Sequence, residues 1–269
     1  MLKIKEIIRP QSLEEAYELN QKRTNRILGG MLWMRMSNIQ IQKAIDLSGL
    51  GLNEVEETEE EFSIGCMVTL RELELHEGLN ACCDGLIRRS VEDIVGVQFR
   101  NSATIGGSLF GRFGFSDVLT AFLVLDTYVE LYNGGICPLA EFAAKKRDND
   151  ILVRVIVKKH RGRYAYQSCR NTKTDFPVLA VAVAETEDGV KAAIGARPQR
   201  AEVRKVPNLE KETLKTLADS YSYGSNMRAS AEYRKHLASV LLKRAAEEIQ
   251  GKENVYYDRN HFFEWKKDN

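Results

Sequence analysis

Residues 100–108 read Arg100-Asn101-Ser102-Ala103-Thr104-Ile105-Gly106-Gly107-Ser108, two adjacent glycines bracketed by the hydroxyls of Thr104 and Ser108. Lacking Cβ atoms, such glycines let backbone N–H groups come close to a phosphate and adopt positive φ, and the hydroxyls add donors. The same residues also read as a plain turn entering a helix. A second glycine pair lies upstream, where the strand-like Arg26-Ile27-Leu28 runs into Gly29-Gly30. A tight glycine turn after a strand is where α/β folds receive ligands. Two such loops in the same half of the chain suit a diphosphate gripped from two sides. Neither spells GxGxxG or GxxxxGK[ST], so the Rossmann and P-loop fingerprints are missing.

Outward from these loops, residues 4–8 form an apolar strand. Ser12 with Glu15 makes a capping box for a helix that carries Leu13, Ala16 and Tyr17 on one face. A further strand covers 44–47. The acidic stretch 54–61 reads as a solvated turn. Phe62, Ile64, Cys66 and Val68 alternate at the period of a half-buried strand. Thr69 with Glu72 is a second capping box, helical pattern runs over 79–94, and Asp117 opens an apolar run to Leu125 that predicts a buried helix. Residues 127–132 alternate before the turn Asn133-Gly134-Gly135. Segments 151–157 and 163–169 flank Arg161-Gly162 and read as a hairpin, and 178–184 with 190–196 form another around Asp188-Gly189. A long helix over 229–249 presents Tyr233, Leu237, Val240, Leu241 and Arg244 as one stripe. The pattern therefore shifts from α/β to an antiparallel sheet with helices near 158–162. The aromatic and charged stretch 251–269, with Tyr256, Tyr257, Phe262, Phe263 and Trp265, reads as a tail that docks on its own helix or on a partner.

Of 269 residues, 43% are hydrophobic and 29% charged, enough apolar content for a core and unlike a disordered chain. Lys+Arg number 39 against 38 Asp+Glu, a net charge of +1, which gives no bulk electrostatic case for nucleic acid or an anionic membrane. No apolar run reaches the ~20 residues of a membrane span. Residues 1–10 are too charged for a signal peptide, so the expected compartment is cytoplasmic. The five cysteines, Cys66, Cys82, Cys83, Cys137 and Cys169, contain no CxxC spacing and read as reduced thiols. The vicinal Cys82-Cys83 reads as filler of a small-residue helix face. His76, His160, His236 and His261 sit at no metal-binding spacing, and no GxSxG elbow is present. No catalytic or metal-ligating set emerges. Gripping loops without acid–base or nucleophile machinery point to a protein whose cofactor carries the chemistry.

At the stretch 100–108 the chain resembles the FAD-binding medium subunit of the molybdenum hydroxylases, the xanthine dehydrogenase and carbon monoxide dehydrogenase family, whose signature is RNxATIGGN. The resemblance begins at Ser12-Leu13-Glu14-Glu15-Ala16, runs through Ile64-Gly65-Cys66-Met67-Val68-Thr69, and reaches Ala231-Glu232-Tyr233-Arg234-Lys235-His236-Leu237. It implies an α+β fold: two α/β subdomains of the PCMH-type flavin fold (1–158, in lobes of about 1–53 and 54–158), then an antiparallel C-terminal domain (159–250) and the tail 251–269. It implies FAD held by Leu28, Gly29, Gly30, Met31, Leu32 and Trp33 on one side and by Thr104, Ile105, Gly106, Gly107 and Ser108 on the other. Asp117 would bond its sugar-like part, and Leu152 would pack near the flavin or adenine. The implied partners are a molybdopterin-binding large subunit and a 2Fe-2S small subunit, with NAD or another acceptor taking the electrons. Three places depart from the pattern, the mildest being Ser108 where the signature ends in Asn. The family's AGGT run appears as Leu28-Gly29-Gly30-Met31-Leu32-Trp33, one residue shorter and without the Thr hydroxyl, and the family's Lys near Gln167 is missing. A neutral hydrogen bond is worth ~0.5–1.5 kcal/mol, so the altered loop also admits a flavin-free scaffold subunit of the same complex.

Overall fold

The structure, a computed structural model, describes residues 1–251; the tail expected to dock lies, apart from Gly251, outside the described residues. The chain opens with β1 (Lys3–Ile8), α1 (Leu13–Asn20), β2 (Arg26–Leu28), α2 (Leu32–Arg35) and β3 (Gln40–Asp46). β3 lies between β1 and β2 and runs parallel to both. Ser12 Oγ accepts from Glu15 N at 3.1 Å and starts α1 as expected. The Glu15 carboxylate reaches past the cap to the N–H of Gln11, at 2.7 Å, so the box is completed one residue early. Thr69 and Glu72 form the full reciprocal box that starts α3 (Leu70–Leu75).

Before α3 come β4 (Val55–Glu57) and β5 (Glu61–Gly65). After it follow α4 (Glu77–Ala81), α5 (Leu86–Val91), α6 (Val97–Arg100), α7 (Ile105–Phe110), α8 (Asp117–Phe122), β6 (Thr127–Leu131), β7 (Gly135–Pro138), α9 (Leu139–Ala144) and β8 (Leu152–Lys158). The strands form an antiparallel sheet in the order β4-β5-β8-β6-β7. Phe62, Ile64, Cys66 and Val68 are buried in its core, as their alternation predicts. The acidic stretch 54–61 is not a simple turn: Val55–Glu57 form edge strand β4 and Glu61 opens β5. Its carboxylates find cations on and just after β8, two strands away, Glu56 with Arg154 at 3.1 Å and Glu57 with Lys159 at 2.6 Å, so local charge did not mark a loop. The helical pattern over 79–94 is interrupted, because Asp84 (φ 49°) and Gly85 (φ 72°) turn the chain between α4 and α5.

The remainder comprises β9 (Gly162–Arg170), β10 (Pro177–Thr186), β11 (Gly189–Gly195), β12 (Glu202–Val206), α10 (Lys211–Ser220) and α11 (Ala231–Ile249). These strands form a separate antiparallel sheet, β12-β11-β10-β9, with α11 packed on β9 and β10. The hairpin around Asp188-Gly189 is present. The one around Arg161-Gly162 is not, because β8 pairs with β5 and β6 while β9 pairs with β10; alternation locates strands but not their partners. The α11 stripe is also rotated from expectation. Tyr233 is exposed and Arg234 is buried instead, its guanidinium donating to the carbonyls of Val178, Gly224 and Ala229. Three carbonyl acceptors, with Asn226 Oδ1 at 2.7 Å, make burial of that charge tolerable.

Helix α8 joins the two sheets. All six of its residues are buried, and it packs on α5 and α7 on one side and on β10 and β11 on the other. Within the first half, Arg100 forks onto the Glu74 carboxylate at 2.7 and 3.2 Å and donates to Ile94 O at 3.1 Å. Arg71 bonds the same carboxylate at 2.8 Å. The motif's arginine is therefore a fastener that holds α6, and with it the start of the second glycine loop, to α3.

Burial pushes the Glu74 carboxyl up, but its bonds to Arg100 and Arg71 outweigh this and leave it below its ordinary value of 4.5. With the folded value depressed, Glu74 contributes stability above about pH 4.5 that is lost as pH falls through the folded value. Arg100→Met should cost about 3 kcal/mol at pH 7 by leaving a buried carboxylate short of its main partner. The excess stability of wild type over Glu74→Gln, measured as urea midpoints, should shrink on acidification below about pH 4.5.

Candidate cofactor site

β2 delivers Leu28 into the core, and the chain then turns through Gly29 and Gly30 to Met31, which caps α2 in the left-handed region (φ 60°). α7 starts at Thr104, whose Oγ1 accepts from Gly107 N at 3.1 Å. The two loops meet. A Cβ on Gly29 would sit 3.0 Å from Thr104 Oγ1, and one on Gly30 would overlap the Ser102 carbonyl oxygen. The contact is backbone to backbone and admits no side chain from Gly30.

The second loop's glycines divide the work. Ile105 N and Gly106 N donate to Val68 O and Cys66 O, each at 2.9 Å, and a Cβ on Gly106 would press on the Cys66 carbonyl at 2.6 Å. Gly106 is thus a packing glycine. A Cβ on Gly107 would meet Thr104 Oγ1 at 3.2 Å and nothing else within 4 Å. Ser108 Oγ donates to Thr104 O at 2.9 Å, so its proton is occupied, whereas Thr104 Oγ1 accepts and keeps its own proton to donate. On the first loop the Gly29 N–H belongs to the pairing of β2 with β3, whereas those of Gly30, Met31 and Leu32 have no hydrogen-bond partner among the described residues.

Between the loops lies a cavity of about 600 Å³. Of the residues expected at the site, Leu28, Gly29, Gly30, Met31, Leu32, Trp33, Thr104, Gly106, Gly107, Ser108, Asp117 and Leu152 line it. Ile105 does not: it is fully buried in the core with its N–H engaged, because the residue after the cap faces the sheet. Asp117, at the start of α8, accepts from Arg170 Nη2 at 2.7 Å and from the Tyr166 hydroxyl, both on β9. Burial pushes the Asp117 carboxyl up against the pull of Arg170 and Tyr166. Burial works against the Arg170 charge, yet Asp117 opposite holds its proton more tightly than usual. Burial beside that carboxylate keeps the Tyr166 hydroxyl protonated. The Cys66 thiol on the cavity wall is pushed up to about 12 by burial, so it stays neutral. Gln167 is turned away and donates to Glu248 Oε2 on α11 at 2.7 Å.

Sequence reasoning missed Arg170 and the rings of Phe113, Phe115 and Phe176, which also line the cavity. The Gly- and Phe-rich run after 108 hinted at the first two rings. Phe176 comes from the β9–β10 connection, and nothing local announces that this loop folds back over the glycine turns. Among the described residues, no three His, Cys, Asp or Glu side chains gather as a metal site, and no helix is long and apolar enough to cross a membrane.

A parallel three-stranded unit and an antiparallel sheet that clamp a cavity between glycine loops, with a second antiparallel sheet behind, define a dinucleotide-binding flavoprotein fold. Residues 2–159 match the FAD binding domain in molybdopterin dehydrogenase, and residues 207–249 match the CO dehydrogenase flavoprotein C-terminal domain; the chain belongs to this family of FAD-binding subunits. It is 26% identical over 249 residues to the YgfM protein of Escherichia coli (strain K12), covering 89% of this chain and 94% of that one. Its fold is shared with a chain of the reconstituted CO dehydrogenase from Oligotropha carboxidovorans, at TM-score 0.81 and 22% identity, covering 93% and 99% of the two chains. Quinoline 2-oxidoreductase from Pseudomonas putida 86 contains a similar chain, at TM-score 0.78 and 18% identity, covering 94% and 98%.

The residues present fit FAD. The cavity volume lies within the ~300–1,000 Å³ of cofactor pockets, residues with unpartnered N–H groups line it from one loop, and Thr104 keeps a donor on the other. The glycines separate fold from binding. Gly30→Ala should force the loops apart and cost about 1–3 kcal/mol by overpacking against backbone. Gly107→Ala, inside α7 and pressing only on Thr104 Oγ1 at 3.2 Å, should stay within about 1 kcal/mol of wild type, because helix propensity offsets that contact. Thermal denaturation of the two variants checks the contrast.

Proposed function

We propose that this chain holds FAD across the Gly29-Gly30 and Thr104–Ser108 loops and serves as the electron-transfer subunit of a molybdenum-containing hydroxylase or dehydrogenase. The observation that carries the reading is the run of unpartnered N–H groups at Gly30, Met31 and Leu32, residues that line the same cavity as the Thr104 cap. Those N–H groups and the Thr104 hydroxyl would bind the diphosphate, where fixed backbone dipoles replace water at no side-chain entropy cost. Asp117 Oδ1 is held by Arg170 and Tyr166, and its second oxygen is offered to the sugar-like part. Leu152 and Leu28 supply apolar wall.

FAD, when bound, supplies the chemistry of accepting and releasing electrons singly or in pairs. The chain's own task is to bind, orient and exclude water. Its neutral Cys66 adds no competing nucleophile to the cavity wall, and Tyr166, buried behind Asp117, stays protonated. In this reading electrons arrive from a 2Fe-2S subunit fed by a molybdopterin subunit and leave to NAD or another acceptor, and substrate chemistry belongs to the molybdenum subunit.

Titration of the purified full-length chain with FAD should give saturable one-to-one binding and a bound flavin spectrum. Gly107→Val should retain the fold yet lose at least about tenfold in affinity, because its branched side chain enters the cavity. Copurification of the tagged chain from native cells should bring a molybdopterin subunit and a 2Fe-2S subunit. A folded wild-type chain that takes up no FAD, alone or with those partners, would leave the flavin-free scaffold as the better reading.

A further inference from the structure

Four aromatic rings from three separate segments converge at the cavity: Trp33 from α2 directly after the first glycine loop, Phe113 and Phe115 from the turn after α7, and Phe176 from the β9–β10 connection. Trp33 and Phe176 stack at 5.3 Å between centroids and 24° between planes, while Phe115 tilts against both, at 5.5 and 4.3 Å. Phe113 lies nearly parallel to Phe115 at 5.2 Å. The assembly is braced from the C-terminal half. Arg228 sits over Phe176 at 4.8 Å and pairs with Asp175 at 3.0 Å.

Despite this company, Trp33 remains 40% exposed while lining the cavity. An indole with one near-parallel neighbour and 40% of its surface open is a platform on which a further planar ring can stack. The geometry points to Trp33 as the residue that stacks on the planar ring of the flavin itself, with Phe176 fixing the indole plane; this rests on the FAD reading above. The choice of isoalloxazine over adenine follows from the polar groups beside the rings. Arg170 is anchored to the carbonyl of Asp175 at 2.7 Å, one residue from Phe176, and lines the same wall with Asp117. A fixed guanidinium next to an aromatic face matches a ring that carries carbonyl acceptors along one edge, as isoalloxazine does and adenine does not.

The stack contributes through contact area and ring electrostatics, so Trp33→Ala in the full-length chain should weaken FMN and FAD by roughly tenfold. The same variant should leave ADP affinity within about threefold of wild type, a spread too small to register as a lost stack. Trp33→Phe should keep FMN affinity near wild type yet lengthen the bound-flavin fluorescence lifetime from picoseconds to nanoseconds, because indole in contact quenches excited flavin and a phenyl ring does not. Phe176→Ala should weaken FMN in the same direction. Unchanged FMN affinity in Trp33→Ala, an unchanged lifetime in Trp33→Phe, or a loss that falls on ADP instead would each overturn this assignment while leaving FAD binding intact. A wild type that binds neither FMN nor FAD would overturn the flavin reading as well, so the two failures are separable.

Discussion

The backbone contact between Gly30 and Ser102 governs the architecture of the site. Two loops far apart in sequence can approach this closely only where a Cβ is missing, because a side chain on Gly30 would occupy the Ser102 carbonyl. That proximity places the N–H groups of the first loop opposite the Thr104 cap. The demand then propagates backward. Ser102 is held by the turn after α6, α6 is fastened through Arg100 to Glu74 on α3, and α3 begins at the Thr69–Glu72 box, whose Val68 carbonyl takes the N–H of Ile105. The signature 100–108 thus encodes one mechanical unit: an arginine that anchors, a threonine that caps, a glycine that packs and a glycine that opens.

The second organising element is α8. A helix of six residues has little stability of its own, and this one persists because every residue is buried between the two halves. Its first residue, Asp117, carries a charge into that interior, and the charge is met by Arg170 and Tyr166 of β9. Buried pairs of this kind give little net stability, but breaking one is costly. The pair ties the start of α8 to β9, the strand whose connection to β10 carries Phe176 to the cavity.

Local signals in the chain were readable to the extent that they are physically local. Caps at Ser12 and Thr69, the alternation of Phe62 through Val68 and the Asp188-Gly189 turn all rest on contacts within a few residues, and all are present. What could not be read is set by distant partners. The 54–61 stretch looks like a loop until Arg154 and Lys159 are brought to it, and Arg161-Gly162 looks like a hairpin until β8 is taken by β5 and β6. Arg234 was assigned to no face because its three carbonyl acceptors come from other segments. The cavity repeats the division: the glycine loops are visible as motifs, whereas Phe176 and Arg170 reach it through the packing of a second sheet.

The shortened first loop illustrates how backbone geometry compensates for a missing side chain. Where the resemblance leads one to expect a threonine hydroxyl, Met31 stands with φ at 60°, a conformation that costs a non-glycine residue about 1 kcal/mol. The lost hydroxyl would have been worth a similar ~0.5–1.5 kcal/mol as a neutral hydrogen bond. In exchange, the left-handed turn lets the chain enter α2 directly after Gly30, and α2 lacks a side-chain cap, so its leading N–H groups have no partner within the described residues. The donors are therefore retained in kind, as backbone N–H groups rather than a hydroxyl. The early start of α2 also carries Trp33 against Phe176. The shorter loop thus presents backbone N–H groups where the resemblance leads one to expect a hydroxyl, and it brings an indole to the cavity.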